Sequence, residues 1–534
     1  MAKYIGITIG PILKTLIKAK KSKEIWGASY IFSFIMKKII KEFNGQGRIF
    51  IVPHFDEKLL SSNQEYGIFP DRVIFKSEDN DFERIEKIKQ EILIDIANNA
   101  NSIKKEDLEK YFQIYYCEID FDSSYINKEI EIIDNIYNIL DNLELEIKFL
   151  LEESDERFNI MKLFAVQKSI KSIFGVENPY PCIAKIAAKD AGCADNEIRC
   201  DNEDSTDPYS NIQITRQCYK YITIVQCDGD DMGNTIKEIL KNDEDLDSFS
   251  KKLWDFSQNA KEIIEDYGGK PIYIGGDDLL FFAPVIYKGK TVIGLCRKLS
   301  EEFNNFFKEI IEKSKKASYN KKDLSNKIKY PSLSFGLSIN YYKFPMGEAM
   351  EDAKNLLENF AKKEKTKFYH NGLNFVKEKN AIAFKVMKHS GQSFRNVFSM
   401  DSEVLKSFEK LIIDFLNLDK DVRTGSELVL NSLTFKINDL KPVIWSFFMD
   451  IDRNKKINNL FDNELNEYIH KKNFNAFIEC SKEFLKILLK YAAEECAAKE
   501  NLCYSSFEKA LDGFQNALRF IKFLEEKPKN EIFN

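Results

Sequence analysis

The sequence predicts an α+β fold with four parts. Two stretches alternate short β-type runs with helix-length amphipathic runs, a turn-rich segment separates them, and the C-terminal stretch shows helical periodicity alone. A chain of 534 residues has room for three or four domains of ordinary size. The pattern divides it into an α/β block over 1–175, a linker or small helical insert over 176–217, a second α/β block over 218–400 and an all-helical domain over 401–534.

In the first block, Tyr4 to Ile9 alternates as a half-buried strand does, and Gly10-Pro11 breaks it. One long helix is predicted from about Ile12 to Phe43, carrying Trp26 and the small trio Gly27-Ala28-Ser29. Strands are predicted at Arg48 to Val52, Asp71 to Phe75 and Gln113 to Phe121, with helices over the rest of 83–165. In the insert, Asn178-Pro-Tyr-Pro-Cys182 excludes regular helix and Asp201 to Pro208 is acidic and turn-rich.

The second block opens with Tyr221 to Cys227, a buried strand of Ile, Thr and Val that ends at Asp228-Gly-Asp-Asp-Met-Gly233. Helices follow from Asn234 and over Phe249 to Tyr267. Pro271 to Ala283 reads as strand, tight turn, strand around Gly275-Gly276-Asp277-Asp278. A helix over Val292 to Ser314, a strand over Leu333 to Tyr341 and an amphipathic helix over Gly347 to Lys363 complete it. That β-α-α-β-β-α-β-α order predicts an antiparallel sheet with helices on one face. In the last part, Phe507, Leu511, Phe514, Leu518, Ile521 and Leu524 recur at steps of three and four, a core-facing stripe.

Composition narrows the function. With 44% hydrophobic and 31% charged residues but only 22 Gly and 12 Pro, the chain is neither collagen-like nor largely disordered. No apolar run reaches membrane-span length, and the N-terminus lacks a secretory signal pattern. Ten cysteines in mostly apolar surroundings read as buried free thiols in a reducing cytoplasm. Net charge is −6, from 79 basic and 85 acidic residues, which argues against autonomous nucleic-acid binding though not against a subunit whose neighbours supply phosphate contacts. The basic segment Ile311 to Tyr330, with Lys313, Lys315, Lys316, Lys321, Lys322, Lys327 and Lys329, reads first as a solvated loop and second as a phosphate-facing one.

The chemistry concentrates in the second block. Asp228 closes one strand, and Asp277 and Asp278 occupy the turn of a hairpin about 50 residues on. Three carboxylates at one sheet edge repel one another and stay ionised together only around cations. Oxygen-only ligands favour Mg²⁺ or Mn²⁺, and a pair of such ions activates an attacking hydroxyl and stabilises a leaving pyrophosphate. Gly275 and Gly276 permit a sharp turn and close approach of a nucleotide. Gly229, Asp230, Asp231, Met232 and Gly233 are predicted to lie between a strand end and a helix N-terminus, where amides favour a triphosphate.

Ile274-Gly-Gly-Asp-Asp278 after Asp228-Gly-Asp-Asp-Met-Gly233 resembles the large polymerase-palm subunit of type III CRISPR effector complexes. Trp26-Gly-Ala-Ser-Tyr30 looks like that family's Trp-Ala-Gly-Ser-Tyr signature. Gly67-Ile-Phe-Pro-Asp-Arg72, Ser334-Phe-Gly-Leu-Ser-Ile339 and Tyr342-Lys-Phe-Pro345 are similar to motifs of its type III-B branch. The resemblance implies two ferredoxin-like palm domains related to GGDEF and nucleotide-cyclase domains, the first having lost its Gly-Gly-Asp-Asp. It implies Asp228, Asp277 and Asp278 as ligands of two Mg²⁺ or Mn²⁺ ions, Gly229 to Gly233 as the phosphate cradle, Gly275 and Gly276 against the nucleotide, and Lys362 on the triphosphate. The implied reaction joins ATP 3′ to 5′ into cyclic oligoadenylates when guide CRISPR RNA, held with the other type III-B subunits, captures target RNA.

The sequence departs from the family in two places. None of its four histidines, His54, His370, His389 and His470, is followed by Asp, so no His-Asp nuclease site is expected and no DNA cleavage by this chain. Cys182, Cys193, Cys200 and Cys218 lie where relatives carry a zinc knuckle but contain no Cys-x-x-Cys pair, so zinc is left open. Other readings use the same residues: transfer of AMP from ATP to an acceptor such as S-adenosylmethionine, in a pocket partly on Trp26 to Tyr30 and the 176–217 segment; a non-catalytic scaffold; or a freestanding diguanylate cyclase, disfavoured because the Glu-Phe of GGDEF is missing.

Overall fold

The computed structural model describes residues 2–61, 65–100, 103–121, 129–146, 160–165, 167–175, 180–192, 197–198, 207–210, 212, 214–241, 246–320, 327–370, 373–419, 427–464, 472–497 and 503–525. Lys321, Lys322, Cys193, Cys200, His470, Asn178 and most of the acidic stretch from Asp201 fall outside them.

Alternating apolar residues make Ala2–Gly10 a strand, β1, with Ile5, Ile7 and Ile9 buried on one face. It pairs antiparallel with β3 (Arg72–Ser77) on one side and β4 (Gln113–Phe121) on the other, while β2 (Phe50–Val52) edges β3. The sheet order is β2-β3-β1-β4. Gly6 faces the helix Glu129–Glu146, and a Cβ there would lie 2.1 Å from Cγ2 of Ile136. The single helix expected from Ile12 to Phe43 is two, Ile12–Ile17 and Ser22–Gly45. The lysine-rich break between them ends where the Glu24 carboxylate accepts the backbone N–H groups of Lys20 and Lys21 at 2.7 and 3.2 Å, starting a new helix.

The second sheet is built from β5 (Tyr221–Asp230), β6 (Lys270–Gly275), β7 (Asp278–Pro284) and, after the small hairpin β8 (Ile286–Tyr287) and β9 (Lys290–Thr291), β10 (Ser332–Tyr341). The hairpin β11 (Lys365–His370) and β12 (Leu373–Glu378) stands apart, and β13 (Ala381–Met387) and β14 (Ser393–Ser399) extend the sheet. The order is β14-β13-β10-β5-β7-β6. The expected antiparallel sheet is therefore mixed, because β13 runs parallel to β10, from Phe335 opposite Ile382 to Asn340 opposite Met387. Helices also cover both faces rather than one. Gly336 abuts the helix Met346–Asn359, where a Cβ would lie 2.2 Å from the Ala353 carbonyl. Its neighbours in sequence face the other way, and there Cys227, opposite Phe335, feels Cys296 of the helix Val292–Phe306.

Three further expectations change. The helix over Val292 to Ser314 divides into Val292–Phe306 and Lys308–Asn320, so the start of the basic segment is helical and not loop. β5 runs on to Asp230 and the next helix begins at Met232, so Asp228 to Asp230 belong to the strand itself. The helix before Lys362 stops at Asn359, and Ala361–Lys363 is a 3₁₀ turn.

After Ser399 the described residues form helices, of which Cys503–Phe523 buries its predicted stripe against Lys472–Ala497. It is tied to the sheet by Asn396 Nδ2, which donates to the Gly513 carbonyl at 3.1 Å. In the insert a short helix, Ile183–Ala187, packs on β5 and β7. Cys182 is disulfide-bonded, an exception to the expectation that most cysteines are free thiols, and Cys218 is a buried thiol. These two do not supply a paired zinc site, and Cys193 and Cys200 lie outside the described residues.

The two sheets are joined through main chain. Gly67 N–H donates to the Ile272 carbonyl at 3.2 Å and the Gly67 carbonyl accepts from Ile274 N–H at 2.9 Å, adding a short piece of the first block to the β6 edge. A Cβ at Gly67 would press on the Tyr273 ring at 3.2 Å. Ser33 Oγ accepts the N–H groups of Ile68 and Phe69 at 2.9 and 2.8 Å and steers the following residues to Asp71. Trp26 to Tyr30 supports this junction from beneath. Trp26 and Tyr30 are buried and stacked at 5.2 Å, and the Trp26 indole donates to the Glu65 carbonyl. Both rings are core, so they do not line the acceptor pocket expected of them.

Candidate active site

Two elements of the sequence build the site. β5 and β7 are neighbours, paired from Ile222 opposite Pro284 to Cys227 opposite Leu279, so Asp228 and Asp278 come next at the same sheet end. Gly275 pairs with Asp278 across a two-residue turn of Gly276 and Asp277. Gly276 takes a φ of +70°, open to glycine without cost, and this sharp reversal aims Asp277 back at β5. A Cβ at Gly229 would lie 2.0 Å from Asp277 Oδ2, so the carboxylate rests directly on the Gly229 backbone. Gly275 plays the same part for Tyr273, whose hydroxyl would lie 2.0 Å from a Cβ there. Gly233 has open space where a side chain would be.

Asp228, Asp277 and Asp278 are thus brought together, and Lys362 joins them through an ion pair with Asp228. Burial and then the Asp228 charge push the Asp277 carboxyl up to about 6. Asp278 is also raised, by the protein mass around it and by Asp228, Asp277 and Asp71, although it still touches solvent. It lies in a cleft rather than a sealed core. Burial pulls the Lys362 ammonium down, but Asp228 outweighs that and leaves it raised.

Asp230 and Asp231 do something different from their neighbours. Asp230 is fully buried, and its Oδ2 accepts from Ser332 and Ser334 hydroxyls at 2.9 and 2.8 Å and from Asn380 N–H at 2.9 Å. Asp231, at a φ of +58°, accepts from Lys377 at 2.7 Å and faces Lys379 at 3.5 Å. The Lys377 side chain is wholly inaccessible, also donates to the Tyr330 carbonyl at 2.7 Å and lies over the Tyr330 ring at 4.3 Å. These carboxylates lock the turn from behind, their side chains engaged by partners within the protein. Lys377, Ser332 and Asn380 escaped the sequence reading, and Ser334 entered it only as part of a motif, because their partners lie 102 to 150 residues away.

Asp71 was missed as a site residue for the same reason. It was read only as the start of a strand, yet the Gly67–β6 junction carries it within electrostatic reach of Asp278. Beside it, Arg72 pairs with Asp141 and Glu144 at 2.5 and 2.9 Å, and the Thr8 hydroxyl donates to Glu144 at 2.7 Å.

All donors at the Asp228–Asp277–Asp278 cluster are carboxylate oxygens, which suits a hard divalent cation. Among the described residues no three metal-ligating side chains stand within reach of one ion, and Asp228 is neutralised by Lys362 instead. The charge deficit that lifts Asp277 and Asp278 is of the kind a cation relieves. The donor chemistry therefore fits such an ion.

Residues 221–369 match the family described as Cas10/Cmr2, second palm domain, and residues 4–109 match that described as CRISPR-associated protein Cmr2, N-terminal. These two stretches, together just under half of the chain, are of Cas10/Cmr2 type. The chain is similar to the CRISPR system Cmr subunit Cmr2 of Pyrococcus furiosus, with 27% identity over 200 residues, which is 33% of this chain and 19% of that relative. The match thus spans well under two thirds of the relative's length. Among solved structures, the chain is similar to the apo type III-B Cmr-beta complex at 12% identity and a TM-score of 0.45, covering 90% of this chain and 77% of that one. It is similar also to the Csm1–Csm4 cassette in complex with cA4, at 10% identity and a TM-score of 0.45, covering 98% and 70%. No helix among the described residues is long and apolar enough to cross a membrane.

Proposed function

We propose that the second sheet is a nucleotidyltransferase palm that takes ATP, releases pyrophosphate and forms 3′–5′ linked cyclic oligoadenylates. The chain would act as a subunit of a type III-B complex switched on by target RNA paired to its guide CRISPR RNA. The observation that carries this reading is the Asp277 carboxylate on the bare backbone of Gly229, with Asp228 and Asp278 beside it. Asp228, Asp277 and Asp278 would hold two Mg²⁺ or Mn²⁺ ions, which when bound supply charge for the attacking hydroxyl and the leaving pyrophosphate. Lys362 leaves Asp228 for the triphosphate and neutralises its charge there. The open space at Gly233, at the first turn of its helix, lets phosphate oxygens approach the unpaired amides. Asp230, Asp231 and Lys377 hold this turn rigid while it does so.

A second reading keeps the palm and changes the acceptor. The first-block side of the cleft offers Asp71, Asp141 and Glu144 against the one guanidinium of Arg72. A surplus of carboxylates there disfavours a second ATP and favours an acceptor with a positive charge, as S-adenosylmethionine has. Incubating the assembled complex with target RNA, labelled ATP and S-adenosylmethionine tests both readings by product mass. Rings of AMP units support the first and an AMP adduct of S-adenosylmethionine the second. Product that survives Asp277→Ala with Asp278→Ala would refute both.

A further inference from the structure

The helix Cys503–Phe523 works with two faces. Phe507, Leu511, Phe514, Leu518 and Ile521 are its buried apolar stripe. Lys509, Gly513 and Asn516 stand four and three residues apart, a second line along one side, and each of them contacts the second sheet or the turn beside it. Lys509 Nζ lies 3.7 Å from Glu364 Oε2, the Gly513 carbonyl accepts from Asn396 Nδ2 at 3.1 Å, and Asn516 Nδ2 donates to the Arg395 carbonyl at 3.0 Å. Arg519 donates to Asn516 Oδ1 at 3.2 Å, which leaves the amide nitrogen as the group turned to β14. These contacts converge on the 3₁₀ turn Ala361–Lys363, from which Lys362 reaches Asp228. Phe360 precedes the turn and Glu364 follows it. The Arg395 guanidinium lies over the Phe360 ring at 3.9 Å. Burial pushes the Glu364 carboxyl up, and the Lys509 ammonium is the charge that pulls it back most. Both shoulders of the turn are thus held from one helix, Glu364 directly and Phe360 through Arg395.

We propose that Lys509 and Asn516 are positioning residues for Lys362, so that the C-terminal helical domain sets how well the second sheet holds ATP. The proposal rests on the reading of Lys362 as the lysine that meets the triphosphate. A lysine is a point charge on a flexible four-carbon stem, so its ammonium is placed only as well as the backbone beneath it. A contact that merely joined helix to sheet would have no reason to fall on both sides of one turn. The seam is made of hydrogen bonds and an ion pair, and the Lys509 side chain is 72% exposed, so these contacts can be altered without opening the apolar stripe.

The test is steady-state kinetics of the complex assembled with target RNA, with ATP varied. Lys509→Ala with Asn516→Ala is expected to raise the KM for ATP about three- to tenfold. It should change kcat less than about twofold, since a charge on the triphosphate is felt alike before and during reaction. Lys509→Arg keeps the ion pair and, with Asn516→Ala, is expected to recover most of the loss. In a Lys362→Ala chain the same pair of substitutions should add nothing, because the group they position is gone. A structural seam alone would instead lower the melting temperature and multiply into the Lys362→Ala loss. An unchanged KM in the pair variant overturns the proposal, and so does a further loss of equal size in the Lys362→Ala background. Should the pair variant melt early, Glu364→Gln weakens the same ion pair from the sheet side and carries the same expectation at smaller size. A Lys362→Ala chain with wild-type KM overturns the proposal while leaving the three aspartates their role. Product that survives Asp277→Ala with Asp278→Ala refutes the nucleotidyltransferase reading and takes the proposal with it, so the two failures are told apart.

Discussion

The first and second sheets share one plan and differ in what stands at the same points of it. Taken in chain order, the four strands of the first sheet lie as fourth-first-third-second, and so do β10, β5, β7 and β6 of the second. Thr8 of β1 lies opposite Arg72, the first residue of β3, and Asp228 of β5 follows Cys227, which lies opposite Leu279, so that it comes next to Asp278, the first residue of β7. The helix after the fourth strand ends near Glu144 in one sheet and before Lys362 in the other. Thus Thr8, Arg72 and Glu144 stand where the second sheet has Asp228, Asp278 and Lys362, with the charge reversed at two of the three. Between the second and third strands, the first sheet has a segment of about twenty residues that docks on the other sheet, and the second has the bare Gly276-Asp277 turn. One backbone plan therefore yields a site that gathers carboxylates and a site that ties its cation internally. The fold supplies the geometry, and the residues at the strand ends decide the chemistry.

The comparison breaks most visibly at the hairpin. Asp277→Ala with Asp278→Ala is expected to lower product formation by about 10³-fold or more, while assembly with partner subunits persists. Pyrophosphate release by the reconstituted complex, read beside size-exclusion of the same sample, checks this. Equal loss from Arg72→Ala in the first sheet would erase the distinction between the two.

Lys377 is the next largest effect, because its wholly buried ammonium stands behind the site of the second sheet. Lys377→Met leaves Asp230 and Asp231 close together without their buried cation, at a cost of about 3 to 5 kcal/mol. Urea unfolding should shift accordingly, with product formation falling too as the turn loosens. A midpoint unchanged from wild type would remove Lys377 from the support of the turn.

What the sequence made legible follows from distance along the chain. The acids at strand ends and the glycines around them are local signals, so Asp228, Asp277, Asp278, Gly229 and Gly276 could be singled out before any coordinates. Lys362 came only from resemblance, since a lysine after a helix reads as solvated. Asp71, Lys377, Ser332 and Asn380 act through partners far off in sequence and carry no local mark. β13 was invisible for a related reason. Its neighbour is β10, to which it runs parallel, and such pairing is decided by the crossover between them and not by either strand's own pattern. The helix breaks at Lys18 to Lys21 and at Phe307 were missed because amphipathic spacing continues across both.

Asp277 offers a smaller and sharper test, because its carboxyl is raised to about 6 by burial and by Asp228. A folded state that holds a proton more tightly than the unfolded chain gains stability as pH falls, fully below the unfolded value near 4 and lost as pH rises through about 6. Asp277→Asn should therefore stabilise the metal-free chain at about pH 8, by roughly 1 to 3 kcal/mol, and lose that advantage near pH 4. Thermal melts at the two pH values read it. Added Mg²⁺ should raise the melting temperature of the wild type and leave the variant nearly unmoved. A destabilised variant at pH 8 would mean that Asp277 is a structural group, as Asp230 is.

The finest distinction lies in Glu144, an acid bound to Thr8 and Arg72 in the first sheet where the second has Lys362 on Asp228. Glu144→Gln removes one negative charge and keeps the Thr8 hydroxyl within hydrogen-bonding reach of a side-chain oxygen. An anionic acceptor such as ATP is then repelled less, so its KM should fall a few-fold. A positively charged acceptor loses attraction, so its KM should rise by a similar factor, with kcat little changed in either case, because a charge felt equally by ground and transition states alters binding alone. The sign of the change thus reports the charge of the acceptor. If neither KM nor kcat moves for any acceptor, the acceptor does not approach the first sheet at all, and the two sheets differ only in that one of them works.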